Sequence, residues 1–157
     1  MTPPHEMELI YCEQYSPYLA RLEQLFQSAW PDFLFRDTYT QNARLPPVLV
    51  AVMNEVVVGG LAFSRFKEPH RSGEVIWINA VFVSAEYRGK GLASRLINAG
   101  VSQTLASSQD YLYAYTNVPA LYQSLGWSEV DIECEPDHKV MGISLTPRPD
   151  SYTQVAS

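Results

Sequence analysis

An α+β fold built on one mixed sheet is what this chain predicts, and three stretches carry the expectation. Residues 75–83 are almost continuously apolar, which suits a central strand covered on both faces better than a strand with one wet side. Arg88-Gly89-Lys90-Gly91 follows as a basic glycine loop, and from Leu92 the apolar residues fall at 92, 93, 96, 97, 101 and 105, one stripe of a helix. Around this strand, loop and helix the remaining runs give the order β-α-(α)-β-β-β-α-β-α-β-β, with no internal repeat and no low-complexity segment.

From the N-terminus, residues 8–13 read as a short first strand, and Ser16-Pro17 opens a helix, with Ser at the cap and Pro at the first helical position. Leu19, Leu22, Leu25, Phe26 and Ala29 mark its apolar face, and it should stop at Trp30 because Pro31 disfavours helical backbone in the residue before it. Residues 30–47 mix aromatics, polar residues and a Pro-Pro pair, which suits a second short helix or an ordered loop. Residues 48–53 and 56–66 are β-rich runs around Asn54-Glu55, joined most naturally by a tight hairpin. Gly59-Gly60 inside the second run marks a bulge or a close approach of backbone. Residues 67–73, with Pro69 and Gly73, form a surface loop before the central strand.

After the long helix, residues 111–115 alternate Tyr, Leu, Tyr, Ala, Tyr, which places three phenols on one face of a fifth strand as packing residues. Asn117-Val118-Pro119 starts a short helix running through Leu125 and ended by Gly126-Trp127. Residues 128–133 and 139–145 supply two last strands around a Pro136-Asp137 turn, and from Thr146 the composition reads as a frayed tail. The expectation is a single domain over 1–146 and a flexible tail over 147–157, since 157 residues are the size of one domain and can bury a core.

A net charge of -6 argues against a general nucleic-acid binder, for which a basic stripe is expected, and is compatible with a cationic substrate. Cys12 and Cys134 lie far apart without metal-ligand spacing, so neither a disulfide framework nor a metal site is indicated, and a reducing cytoplasm is the simpler setting. No stretch approaches the roughly 18 apolar residues that a membrane span needs, and the N-terminus lacks the pattern of a signal peptide.

The basic loop has a chemical meaning of its own. The first turn of a helix leaves backbone N–H groups unpaired and carries the positive end of the dipole, so it is a seat for an anion. Gly89 and Gly91 let the backbone approach a phosphate, while Arg88 and Lys90 add positive charge. Gly89-Lys90 is not a nucleotide P-loop, because the earlier glycine is missing and no Ser or Thr follows the Lys. Nor is it a dinucleotide fingerprint, whose third glycine would fall on Ser94. The string Arg88-x-x-Gly91-x-Ala93, after a strand ending in Phe82-Val83, resembles the acyl-CoA pyrophosphate loop of the GCN5-related N-acetyltransferase (GNAT) superfamily, R/Q-x-x-G-x-G/A.

Leu121-Tyr122-Gln123-Ser124-Leu125-Gly126-Trp127 resembles the second signature of that superfamily, Leu-Tyr-x-x-x-Gly-aromatic, in the expected order. The resemblance spans residues 7–145 and implies the GNAT fold, a mixed, mostly antiparallel sheet of seven strands flanked by helices. It implies an N-acetyltransferase with acetyl-CoA as cofactor and a small-molecule primary amine as acceptor. Backbone groups of Val81 and Val83 would pair with the pantetheine, residues 88–94 including Ser94 would hold the pyrophosphate, and Asn117 would be a further cofactor or cap ligand. Asn117 stands nearer to the tyrosine than the family pattern places its asparagine. Tyr122 would be the general acid toward the departing thiolate, a role open to a phenol that stays protonated at neutral pH.

The base that deprotonates the acceptor is not selected by any spacing. Glu74, Glu68, His70, and Asn79 acting through water are all candidates, with Glu74 and Asn79 taken as substrate residues although strand parity would aim them at opposite faces. Homodimers are common in the superfamily, but no residue pattern specifies an interface. Other readings of the same residues are a non-catalytic acyl-CoA-binding module and an acetyltransferase acting on peptides or proteins.

Overall fold

The computed structural model describes residues 7–12, 16–40 and 43–145. Seven strands, β1 (Met7–Cys12), β2 (Val48–Met53), β3 (Val56–Lys67), β4 (Glu74–Val83), β5 (Tyr111–Thr116), β6 (Ser128–Glu129) and β7 (Lys139–Ser144), make one sheet in the order β1-β2-β3-β4-β5-β7-β6. Neighbouring strands are antiparallel except β4 and β5, which run parallel. Helices α1 (Pro17–Ala29), α2 (Phe35–Thr38), α3 (Leu92–Thr104) and α4 (Pro119–Ser124) complete the α+β architecture that the sequence pattern predicts.

Two boundaries differ from expectation. The sixth strand is only two residues long rather than covering 128–133: Val130 still donates its N–H to the Val140 carbonyl (2.8 Å), after which the chain leaves the sheet as an irregular loop to the Pro136-Asp137 turn. A one-turn 3-10 helix, Ala85–Tyr87, which the sequence pattern did not announce, separates the end of β4 from the glycine loop at residues 88–91. Glu13 and the expected tail from Thr146 lie outside the described residues.

Local chemistry explains the rest. The Ser16 hydroxyl accepts the Tyr18 N–H (3.3 Å) with Pro17 at the first helical position, and α1 ends at Trp30, just before Pro31. Its Leu22 and Phe26 are fully buried, which stabilises the docked helix by roughly 1.5–3 kcal/mol each. The short α2 is held from outside itself: the Glu23 carboxylate accepts the Phe35 N–H (2.8 Å), and the Tyr39 hydroxyl accepts the Phe63 N–H (2.8 Å) on β3. The β2–β3 hairpin turns on Asn54 and Glu55 at φ 51° and 66°, the left-handed pair that a two-residue turn requires.

Gly59 and Gly60 permit close packing rather than an unusual backbone. A Cβ on Gly59 would lie 2.3 Å from the Phe82 carbonyl oxygen, and one on Gly60 2.4 Å from a Leu22 methyl. The register slips twice, leaving Val58 as an extra residue against β2 and Asn79 as an extra residue against β3. The second bulge inverts the facing of β4. Before it, Ile76 and Ile78 belong to the core under α3, whereas after it Val81 and Val83 do, and Ala80 and Phe82 turn toward α1. One face of the sheet thus packs on Leu96 and Ile97 of α3, the other on Leu22 and Phe26 of α1, with Trp77, Tyr113 and Val140 forming a smaller cluster.

Candidate active site

The parallel pair at the centre of the sheet is joined for only a short stretch. β4 and β5 match at Trp77↔Tyr113 and Ile78↔Ala114, and nowhere beyond. The Gln109 side chain extends this junction backward, accepting the Ile76 N–H (2.8 Å) and donating to the Ile76 carbonyl (2.9 Å). Past Ile78 the Asn79 bulge bends β4, while β5 stays paired with β7 through Thr116, so the two strands part. Because the Ser84 N–H bonds to Val58 on β3, alternation turns the N–H and C=O of Val83, and of Val81, toward the parted side. A cavity of about 1140 Å³ fills this opening. Val81, Val83, Ile97 and Leu121 line it on the α3 face, and Trp30, Ser64, Phe66 and Trp77 on the other, so it passes through the sheet.

At the α3 side stands the glycine loop. Gly89 and Gly91 have φ of 78° and 79°, and a Cβ on either would meet nothing within 4 Å, so glycine is required by conformation and not by crowding. Gly91 is the N-cap and no side chain caps the helix; the Arg95 N–H bonds to its carbonyl (3.1 Å), leaving the Leu92, Ala93 and Ser94 amides without an intrahelical partner. Arg88 donates from Nε to the Val83 carbonyl (2.9 Å) and lies over the Phe82 ring, which uses one of its five N–H donors. Lys90 Nζ is over the Tyr87 ring at 5.5 Å. Arg88 and Ala93 line the cavity, while Gly89, Lys90, Gly91 and Ser94 lie outside its walls. Uncapped amides and two cations beside the mouth of a cavity that runs along a strand edge fit an elongated ligand with a diphosphate and amide-bearing arm.

Tyr122 is the buried residue of α4. It is 5% exposed, edge-on to Trp127 at 5.0 Å, and contributes to the cavity wall. Burial pushes its phenol up to about 12, so it holds its proton throughout the neutral range. The short α4 is not capped by Asn117: its N-cap is Val118, and the Thr116 hydroxyl accepts the Val118 N–H (2.9 Å). No side chain caps α4, so the expected cap role of Asn117 is not realised, though Asn117 does line the cavity. Asn79, the bulged residue, also reaches the cavity, whereas Glu74 is exposed and lies off it.

The α1 side carries residues that no motif announced. Glu68 is 8% exposed and lines the cavity, together with Glu133, Glu135, His70 and His138. Trp77, Phe66 and Tyr113 pack as neighbouring rings, and Tyr115 stacks on His138 at 4.7 Å. Of the three phenols on β5, only that of Tyr113 is buried. Its pKa is raised by that burial and then by the Glu68 carboxylate beside it. An unbroken alternation of tyrosines was visible in sequence, but the carboxylate that faces one of them comes from a loop with no periodicity to read.

With this geometry in place, the comparisons with known proteins define the class. The sequence model of the Acetyltransferase (GNAT) family matches residues 7–127, and the chain belongs to that family. Arabidopsis thaliana Naa50 in complex with the bisubstrate analogue CoA-Ac-MVNAL is similar in fold at 20% identity, with a TM-score of 0.67 over 88% of this chain and 98% of that one. The GNAT family N-acetyltransferase YhbS from Escherichia coli, in complex with CoA, aligns at 19% identity and a TM-score of 0.68, covering 93% of this chain and 85% of that one. The aminoglycoside 6'-N-acetyltransferase from Enterococcus faecium aligns at 15% identity and a TM-score of 0.68, covering 91% and 99%. No curated protein matches the chain in sequence. Among the described residues no helix is long and apolar enough to cross a membrane.

Proposed function

We propose that this chain transfers an acetyl group from acetyl-CoA to a primary amine of a small molecule, by direct attack of the amine on the thioester. The observation that carries the reading is the passage through the sheet, with an anion seat at one end, acidic and aromatic walls at the other, and the Tyr122 phenol between them. When bound, acetyl-CoA supplies an activated acetyl carbonyl with a thiolate leaving group. The amides of residues 92–94 with Arg88 and Lys90 hold the diphosphate, and the main chain of Val81 and Val83 pairs with the pantetheine as a strand would. A β4 amide near the Asn79 bulge would be the donor toward the acetyl carbonyl oxygen, where a prealigned donor is worth about 3 kcal/mol. Tyr122 keeps a proton at its hydroxyl for the departing sulfur.

A small-molecule acceptor is favoured because the α1-side wall is assembled from several segments, the end of α1, the end of β3, residues 68–70 and residues 132–135 with His138. Incubation with acetyl-CoA and a panel of amines, following free thiol, tests the reading. Thiol release that requires an amine is the expected result. Tight acetyl-CoA binding with no turnover on any amine or peptide would overturn it in favour of a binding module.

A further inference from the structure

The cavity is electrically polarised. Its α3 side has a helix N-terminus with Arg88, while its other side has the C-terminal end of α1 at Ala29 and Trp30, where the dipole is negative, and the carboxylates of Glu68, Glu133 and Glu135. Glu68 stands apart from the other two carboxylates because it is buried. Its side chain faces the Tyr113 phenol, whose pKa its charge helps to raise, and of the nearby cations Arg71 approaches only to 4.0 Å while Lys67 lines the same cavity. Arg71 is itself 61% exposed and lies closer to Asp110, at 3.4 Å. Among the ion pairs of the described residues Glu68 has no cation nearer than 4.0 Å, which leaves the carboxylate able to take a further positive partner.

The surrounding rings suit that visitor. Phe66 and Trp77 meet edge to face at 5.8 Å, Trp77 and Tyr113 lie 5.2 Å apart, and Phe66, Trp77 and Glu68 all line the cavity. Trp77 is 8% exposed with its indole N–H unpartnered among the described residues, so the wall is not a finished piece of core. Ammonium groups bind over such faces and beside such carboxylates.

Position along β4 decides which ammonium. Glu68 follows Lys67, which pairs with Glu74 at the start of β4, and it faces Tyr113, which pairs with Trp77 in the closed part of the sheet, whereas the strands open at Asn79 and the cofactor edge begins at Val81. At a strand rise of about 3.3 Å per residue, Glu68 is on the order of 10 Å from where acetyl is transferred. That is too far to deprotonate the reacting amine directly.

We propose that Glu68 is the specificity-determining carboxylate for the acceptor, receiving a second ammonium at the far end of an apolar spacer, so that the preferred substrates are long diamines or polyamines. The inference rests on the acetyl transfer proposed above and names the substrate class of that same cavity. The experiment compares 1,8-diaminooctane with octylamine, which share a spacer and differ by one terminal ammonium. In the wild type the diamine is expected to have the higher kcat/KM, through KM. In Glu68→Gln the diamine-to-monoamine ratio should fall about tenfold or more. Arg71→Ala, which removes the exposed partner without touching the carboxylate, should preserve the ratio. Equal use of both amines by the wild type, an unchanged ratio in Glu68→Gln, or an equal collapse in Arg71→Ala would each overturn the assignment. Should no amine be acetylated, the functional reading fails by itself, and calorimetry of 1,8-diaminooctane binding to the CoA-loaded protein still decides the role of Glu68. Binding that is weaker in Glu68→Gln supports it, and equal binding overturns it.

Discussion

On its α3 side the cavity leads to main-chain features, the amides that open a helix and the edge of β4 turned away from β3, whereas on its α1 side it is bounded by side chains from several distant segments. The first kind of wall depends on where the backbone goes, and a few glycines with a basic neighbour specify it. The second depends on which rings and carboxylates the fold happens to bring together, and tolerates change without altering the path of the chain. A constant ligand can be gripped by the first while the acceptor is chosen by the second.

The comparison breaks most sharply at the glycine loop. Gly91→Glu puts a carboxylate at the anion seat, and acetyl-CoA binding measured by calorimetry should weaken by roughly 100-fold or more, equivalent to about 2.7 kcal/mol. A Cβ at this position meets open space, so the fold should survive at the cost of left-handed backbone strain of about 1–2 kcal/mol. Unchanged affinity would refute the seat.

Tyr122→Phe tests the phenol on the cavity wall. Loss of a general acid should lower kcat by roughly 10²-fold or more with little change in acetyl-CoA affinity, seen in steady-state kinetics beside a binding measurement. The same phenol gives a stability signature. It ionises near 10 in the unfolded chain and near about 12 when buried, so in the wild type stability contributed by this group is intact below pH 10 and declines as pH rises through that interval. Denaturation midpoints of Tyr122→Phe should lack that component of the alkaline loss.

Glycines that serve packing should behave oppositely to those that serve binding. Gly59→Ala drives a methyl against the Phe82 carbonyl, and a loss of about 1–3 kcal/mol, read as a lower thermal midpoint, is expected. Smallest of all is Glu74→Gln on the exposed strand end, for which kcat/KM should stay within about twofold for any acceptor. A large effect there would place the acceptor on the wrong side of the sheet.

Most of the main-chain side was legible in advance. Helix periodicity from Leu92, the Gly89 and Gly91 spacing and the Leu-Tyr-x-x-x-Gly-Trp string each encode a backbone event, and all fall where expected. What could not be read was the bulge at Asn79, because an extra residue in a strand is defined by its partner's register, and the parity argument that set Glu74 opposite Asn79 assumed a regular strand. The short sixth strand misled for a similar reason. Residues 130–133 alternate as a strand would, but the partner they need ends its pairing with them at Val130. Glu68, Trp77 and Gln109 carry no local signal, since what distinguishes them is proximity to Tyr113, Phe66 and Ile76 across the sheet.

The narrow junction at Trp77 and Ile78 makes the sheet two half-sheets, four strands on one side and three on the other, stitched by two residue pairs and the Gln109 amide. Every other rung lies within one half or the other, while the core around Leu61, Phe63, Leu112 and Met141 spans both. A guest seated in the slot therefore meets a stretch of β4 that no rung to β5 occupies beyond that seam.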